Sequence, residues 1–168
     1  MKPPPSTPDE VAFYEDPSHS LGYLSRIAFR HFSRALEKRT LPRGVSSGQW
    51  RFLRVLWNED GLTQRELSRR VGMREPTTVT ALKSLERSGF VRRAPSEADR
   101  RKVHVYLTPK AQRLKSELMP LVAEVNVLAT RGMKPGDVAT LRRLLAKVAD
   151  NLAEESAGVT PRAEETLA

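Results

Sequence analysis

The sequence contains no cysteine, which excludes disulfide bonds, thiolate metal sites and thiol-based redox sensing. It also has no apolar run of about 18 residues, so we predict no membrane-spanning helix. The first residues are rich in proline and lack the apolar stretch of a signal peptide. Together these absences predict a soluble cytoplasmic protein.

The features that an enzyme needs are also scarce. The sequence has no glycine-rich phosphate-binding loop, and no convergent set of titratable residues can be assembled from it. The three histidines show no metal-ligand spacing relative to one another: His19, His31 and His104. We therefore predict that the chain is not an enzyme and has no catalytic residues, no metal site and no cofactor.

Positive charge is present in excess and is unevenly distributed. The net charge is +9, and residues 46–108 contribute +6 of it, from 13 basic and 7 acidic side chains. The segments before and after contribute only +2 and +1. A basic central segment is typical of a surface that neutralises nucleic-acid phosphates, although a solvated basic surface is an equally simple interpretation.

The spacing of apolar residues predicts helices along most of the chain. Steps of three and four between Ser20 and Arg39 indicate an amphipathic helix, and Ser46 or Ser47 can cap the next one. Two longer helices are predicted to start at Thr108-Pro109 and at Pro135. The last of these has an apolar seam typical of helix–helix packing: Val138, Leu141, Leu145, Val148 and Leu152.

Two short helices joined by a tight turn lie in the basic segment. Thr63 and Glu66 form a predicted capping box for the first, which Gly72 ends, and Pro76 opens the second. This is the helix-turn-helix arrangement, in which the second helix lies in the DNA major groove. If Val79, Leu82 and Leu85 are its buried positions, its outer face carries small and hydroxyl-bearing side chains suited to base and phosphate contacts. These candidate DNA contacts are Thr77, Thr78, Thr80, Ala81, Ser84 and Arg87.

A charged hairpin is predicted to follow the second helix. Val103, Val105 and Leu107 alternate as in a half-buried strand, and the preceding loop is rich in arginine. An arginine at the tip of a hairpin can enter the minor groove, and a carboxylate two residues away can orient its guanidinium. The candidate DNA contacts here are Arg92, Arg93, Asp99, Arg100, Arg101 and Lys102.

Three sequence pieces resemble the MarR family of bacterial transcription regulators. They are Gln64-Arg65-Glu66-Leu67, then 85–93 (Leu-Glu-Arg-Ser-Gly-Phe-Val-Arg-Arg), then Asp99-Arg100-Arg101 leading to 105–109. The resemblance covers about residues 20–152 and implies an obligate dimer, with Arg101 as the minor-groove arginine and Asp99 as its orienting partner. One departure is Arg74, where the family often has a serine cap, and we include Arg74 among the predicted DNA contacts.

The resemblance also implies a small-molecule effector that releases the protein from DNA. Such ligands enter the cleft between the dimer helices and the winged domain, and they are often phenolic or anionic. The residues here that offer an aromatic ring or a cation for such a ligand are His19, Tyr23, Arg26, Arg30 and Trp50. A core position for Trp50 and a solvated face for the arginines are the simpler alternatives.

We therefore predict a mainly α-helical fold with a small β-hairpin wing (α+β), a winged helix-turn-helix with a helical dimerisation region. The predicted segments are a flexible arm (1–17), the dimerisation region (18–45 and 109–154), the DNA-binding domain (46–108) and a disordered tail (155–168). The predicted function is that of a homodimeric, ligand-responsive repressor on a pseudo-palindromic operator in double-stranded DNA. An architectural DNA-binding protein without an effector is the alternative.

Overall fold

The computed structural model describes residues 15–96, 98–99 and 101–158. Within these ranges the chain is mainly helical with one β-hairpin, as predicted. The helices and strands are α1 Leu21–Thr40, α2 Ser47–Leu56, α3 Gln64–Val71, α4 Glu75–Arg87, β1 Val91–Pro95, β2 Val103–Leu107, α5 Pro109–Ala129 and α6 Pro135–Gly158. They form two compact units that divide after Asn126, inside α5.

Side-chain caps fix where the first helices begin. The Ser20 hydroxyl accepts a hydrogen bond from the Tyr23 amide at 3.2 Å, so the first helix begins where the sequence predicted. Of the two serines that could cap α2, Ser46 does so, because its Oγ accepts from the Gln49 amide at 3.3 Å. Gln49 completes the capping box by accepting from the Ser46 amide at 3.1 Å.

The core of the first unit packs α2, α3 and α4 against the hairpin and the start of α5. Phe52 and Phe90 are the largest of its fully buried side chains. The Trp57 indole lies edge-on to Trp50, with 5.5 Å between ring centroids, and its Nε1 donates to the Ala111 carbonyl at 2.9 Å. This bond joins the end of α2 to α5, and it satisfies a polar group that would be costly to leave without a partner.

The hairpin is an antiparallel pair in which Val91 lies opposite Leu107. A third segment borders β2, because Thr63 forms an isolated antiparallel bridge with His104. His104 Nδ1 lies 2.8 Å from the Gly61 carbonyl oxygen in the same region. The hairpin is therefore attached to the segment that leads into α3, a contact that was not predicted from the sequence.

The buried face of α4 differs from the prediction. Thr78, Leu82 and Leu85 are buried, whereas Val79 is only half-buried. Positions spaced by four and three residues lie within about 60° on a helix, while the predicted steps of three spread over about 120°. The buried stripe of α4 is therefore the narrower one, formed by Thr78, Leu82 and Leu85, and it turns Thr78 towards the core.

The second unit contains the end of α5 and the helix α6. From 135 to 155, Val138 and Val148 are half-buried and all other residues are exposed. Leu145 and Leu152 are 51% and 63% exposed. The predicted apolar seam is therefore on α6 but is not covered within one chain.

The predicted terminal segments fall mostly outside the described residues. Of the tail predicted to be disordered, 155–158 are the last turn of α6, and 159–168 are not described. The predicted N-terminal arm is described only from 15 onward, where a 3₁₀ turn covers Pro17–His19. No helix in the described ranges is long and apolar enough to cross a lipid bilayer.

Candidate nucleic-acid interface

The helix-turn-helix is formed by α3 and α4. Thr63 Oγ1 accepts from the Glu66 amide at 3.3 Å, and Glu66 Oε2 accepts from the Thr63 amide at 2.9 Å. This confirms the predicted capping box. Gly72 then ends α3 with φ of 70°, a left-handed conformation that glycine adopts at low cost. Arg74 occupies the N-cap position of α4 and makes no side-chain cap bond there.

Thr78 holds α4 against α3 instead of facing solvent. Its side chain is 1% exposed, and Oγ1 donates to Ser68 Oγ at 3.1 Å. Ser68 Oγ donates in turn to the carbonyl of Met73, in the turn between the helices. The prediction that Thr78 lies on the outer face was therefore wrong, because the inward rotation of α4 gives its hydroxyl a buried partner.

The outer face of α4 carries the other candidates. Thr77, Thr80 and Arg87 are exposed, and Ala81 and Ser84 are half-buried. Small side chains on this face leave a groove of about 520 Å³ beside the start of α2. It is lined by Ser46, Gly48, Gln49, Pro76, Thr77, Thr80, Ala81 and Ser84. A helix with such a face can approach base edges closely.

Gln49 ties the start of α2 to this helix. Its Nε2 donates to Ser84 Oγ at 3.3 Å and to Ser88 Oγ at 3.0 Å, and the residue is 9% exposed. Ser84 was predicted as a DNA contact, and part of its hydrogen-bonding capacity is already used inside the protein. Gln49 was not among the residues predicted from the sequence. The capping-box spacing from Ser46 could have marked it as a cap but not as a partner of α4.

Lys83 is a second residue at this surface that was not predicted from the sequence. It is exposed and borders a surface groove together with Thr80, Glu86 and Arg87. Its position three residues after Thr80 puts it on the predicted outer face. Lysine is common on any solvent-exposed helix face, so the residue type alone gave no signal.

Both carboxylates of α4 are paired with arginines. Glu75 lies 3.7 Å from Arg65 Nε, and Glu86 Oε2 lies 2.7 Å from Arg93 Nη2. The hydrogen bond from Arg93 holds the pKa of Glu86 below its ordinary value. Since each carboxylate is matched by an arginine, the charge that this helix presents is set by its unmatched basic side chains.

The two arginines of β1 have different surroundings. The Arg92 guanidinium lies over the Tyr106 ring, 4.3 Å from its centroid. Arg93 is turned towards α4, where its Nε also donates to Glu86 Oε2 at 3.0 Å. Both were predicted as DNA contacts, and in the protein alone both have partners within the chain.

The tip of the hairpin contains the predicted Asp99–Arg101 pair. Asp99 Oδ1 lies 3.1 Å from Arg101 Nε, and the Arg101 side chain is 92% exposed. Hydrogen bonds from the side chain and the backbone amide of Arg101 lower the pKa of Asp99, which keeps its carboxylate charged. Lys102 is exposed beside them. The predicted contact Arg100 lies outside the described residues.

The predicted effector residues do not share one environment. Trp50 is 6% exposed and belongs to the core, as the simpler alternative has it, and its contact with a ligand stays a prediction. His19, Tyr23, Arg26 and Arg30 are exposed on or before α1. The Arg26 guanidinium lies 5.4 Å from the Tyr23 ring centroid. Among the described residues, no group of three or more His, Cys, Asp or Glu could hold a metal ion.

Comparisons with known proteins agree with this geometry. A model of the MarR family matches residues 45–103. Among curated relatives, the chain is 34% identical over 121 residues to the HTH-type transcriptional regulator TtmR of Methylorubrum extorquens, an alignment covering 72% of this chain. The chain spans only 61% of the length of that relative. It is 26% identical over 140 residues to the HTH-type transcriptional regulator MgrA of Staphylococcus aureus, covering 83% of this chain and 92% of MgrA.

Solved structures show the same fold. A MarR transcriptional regulator from Methanosarcina mazei Go1 is similar with a TM-score of 0.76 and 27% identity, over 80% of this chain and 96% of that one. A mutant MarR from E. coli, crystallised in complex with operator DNA, is similar with a TM-score of 0.71 and 26% identity. That match covers 76% of this chain and 92% of the E. coli chain.

Proposed function

The chain belongs to the MarR family, and from this premise we propose that it is a transcription regulator that binds double-stranded DNA. The observation that carries the proposal is the pairing of two features on one domain. One is the small, hydroxyl-bearing outer face of α4, and the other is Arg101, which Asp99 orients at an exposed hairpin tip. The E. coli relative in complex with operator DNA supports this interpretation.

In this proposal the two features contact neighbouring grooves. Thr77, Thr80, Ala81 and Ser84 face the major groove, where hydroxyl and methyl groups meet base edges. Arg101 enters the adjacent minor groove, where the potential is most negative. The basic side chains bind phosphates and set the register of the protein on the duplex: Arg74, Lys83, Arg87, Arg92 and Lys102.

The proposed regulator acts as a homodimer. The domain at 46–108 is the DNA reader, and 18–45 together with 109–154 form the dimerisation region. Large apolar side chains on α1 support this division, since Leu21 is 62% and Phe29 is 54% exposed in one chain. Within the second unit the leucines of α6 are exposed as well. Exposed apolar surface of this kind marks an interaction site, and a symmetric partner would bring two reading helices to a pseudo-palindrome.

We also propose that the protein represses transcription until a small aromatic or anionic effector releases it. Tyr23 and Arg26 support this, because they bring an aromatic face and a cation together on the exposed side of α1. His19 and Arg30 belong to the same candidate set. Isothermal titration with simple aromatic carboxylates tests it directly, and Arg26→Ala is expected to weaken any binding that is found.

An architectural DNA-binding protein without effector or operator is the second candidate, and the basic central segment alone would fit it. Fluorescence anisotropy with a duplex from the region upstream of its own gene separates the two candidates. A regulator is expected to prefer this duplex over a scrambled one, and to protect about 20 base pairs containing an inverted repeat. Equal, weak binding of both duplexes would favour the architectural candidate. No binding of either in about 50 mM salt would reject DNA binding itself.

A further inference from the structure

All three guanidinium nitrogens of Arg93 form hydrogen bonds within the protein. Its Nε and Nη2 donate to Glu86 Oε2 at 3.0 and 2.7 Å, and its Nη1 lies 3.5 Å from Gln64 Oε1. The Arg93 side chain is only 26% exposed. One guanidinium thus joins strand β1 to the last turn of α4 and the first turn of α3.

We propose that Arg93 is a positioning residue that neutralises Glu86 on the DNA-reading helix, and that it does not itself bind a phosphate. This inference rests on the proposed function, since it assigns a role within the same interface. It also replaces the prediction from the sequence that Arg93 contacts DNA.

The location of Glu86 makes neutralisation necessary. Glu86 borders the same surface groove as Thr80, Lys83 and Arg87, the side chains that face the duplex in the proposed complex. An unpaired carboxylate there would stand against phosphate charges, which is strongly unfavourable when the interface excludes water. Arg93 approaches from the strand side, so it cancels this charge without occupying the groove.

The contrast with Arg101 supports the assignment. Both arginines pair with a carboxylate, but Arg101 is 92% exposed and uses only Nε and its backbone amide on Asp99. In the described part of the chain its Nη1 and Nη2 have no hydrogen-bond partner. The two pairs therefore have opposite roles. Asp99 orients the exposed Arg101 towards a binding partner. Arg93 instead neutralises the charge of Glu86.

A rescue experiment tests the proposal. Binding to the duplex from the region upstream of its own gene is measured by fluorescence anisotropy at several salt concentrations. The proteins compared are wild type, Arg93→Met, and Arg93→Met combined with Glu86→Gln. Arg101→Met is the matched control. Arg93→Met is expected to weaken binding by at least about tenfold, because Glu86 loses its counter-charge. Adding Glu86→Gln is expected to restore affinity to within about threefold of wild type, with an unchanged salt slope. Arg101→Met should instead give a shallower salt slope, because a cation that enters the minor groove in the proposed complex also displaces counterions from the duplex.

Failure to regain affinity in the double variant overturns the proposal, and a shallower slope in that variant would identify Arg93 as a phosphate contact. Glu86→Gln alone gives a second measurement, and it is expected to leave the fold intact because a glutamine oxygen can still accept from Arg93. It is expected to bind as tightly as wild type or more tightly, with a steeper salt slope, since Arg93 then carries an unmatched charge. Weaker binding by Glu86→Gln would mean that the carboxylate orients Arg93 onto DNA, and this also overturns the proposal. If wild type binds no duplex, the proposed function fails first.

Discussion

Asp99 and Arg101 form a closed two-point contact at the tip of the hairpin. One carboxylate oxygen, Asp99 Oδ1, accepts from both the backbone amide and the Nε of Arg101, each at 3.1 Å. An exposed arginine ordinarily samples many rotamers, and ordering one on a partner costs conformational entropy. In the proposed complex the contact lowers that cost in advance, and it leaves the two terminal nitrogens of Arg101 available to DNA.

Arg101→Ala is expected to weaken operator binding by about tenfold or more without changing the fold, because the side chain contacts nothing in the core. Asp99→Asn should weaken binding less, since the cation remains and only its orientation is loosened. Anisotropy titrations measure affinity, and circular dichroism checks that both variants are folded. Wild-type affinity in Arg101→Ala would remove this arginine from the interface.

The Asp99 contact also predicts that its contribution to binding is independent of pH near neutrality. Hydrogen bonds from Arg101 hold the pKa of Asp99 below its ordinary value. A lowered pKa means that the contact is fully formed above the ordinary value and breaks only as pH falls through the lowered one. The ratio of wild-type to Asp99→Asn affinity should therefore stay constant between about pH 5.5 and 8. A ratio that changes across this window would contradict the assigned pairing.

Two neighbouring threonines on α4 should respond differently to substitution by alanine. Thr80 is exposed, so Thr80→Ala is expected to leave stability within about 0.5 kcal/mol and to change which operator sequences are preferred. Thr78 is buried against Ser68, so Thr78→Ala should lower the free energy of unfolding by about 1–3 kcal/mol. Urea denaturation and selection from a randomised operator pool measure the two effects. The reverse pattern would show that α4 is rotated relative to the structure.

The sequence predicted elements well where a local rule decides the outcome. Capping boxes depend on residues three apart, and the box at Thr63 and Glu66 is found as predicted. The proline at position 109 and the glycine at position 72 mark helix ends for equally local reasons. The Asp99–Arg101 pair also lies within two residues, so its geometry could be anticipated.

Features that depend on distant partners could not be predicted in the same way. The inward turn of Thr78 depends on Ser68, on another helix, and hydropathy alone favoured Val79 as the buried residue. The Arg93–Glu86 pair joins a strand to a helix across a turn. The sequence Arg92-Arg93 therefore could not show that Arg93 is paired with a carboxylate inside the protein. Gln49 was missed for the same reason.

Gln49 is expected to stabilise the domain through two helices at once. Gln49→Ala removes half of the α2 capping box and the bonds to Ser84 and Ser88, so the free energy of unfolding should fall by about 1–3 kcal/mol. Gln49→Glu is the matched control, because a carboxylate can still accept from the Ser46 amide and from both hydroxyls. Urea denaturation at fixed protein concentration measures the difference. Equal loss in both variants would show that the amide nitrogen alone is essential, and no loss in Gln49→Ala would contradict the role.

The helix α6 should decide the oligomeric state. Its leucines are exposed within one chain, and Leu145 lies at the centre of the predicted seam. Leu145→Arg puts a charge where a second chain is proposed to pack, so it is expected to shift the protein towards monomer and to weaken operator binding by at least about tenfold.

Ala139→Arg is the control, because it adds the same side chain on the side of the helix away from the seam and should leave both properties unchanged. Light scattering after size-exclusion chromatography measures the mass at several concentrations. A dimer that tolerates arginine at 145 but not at 139 would move the interface to the other face of α6, and a wild-type monomer at all concentrations would reject dimerisation.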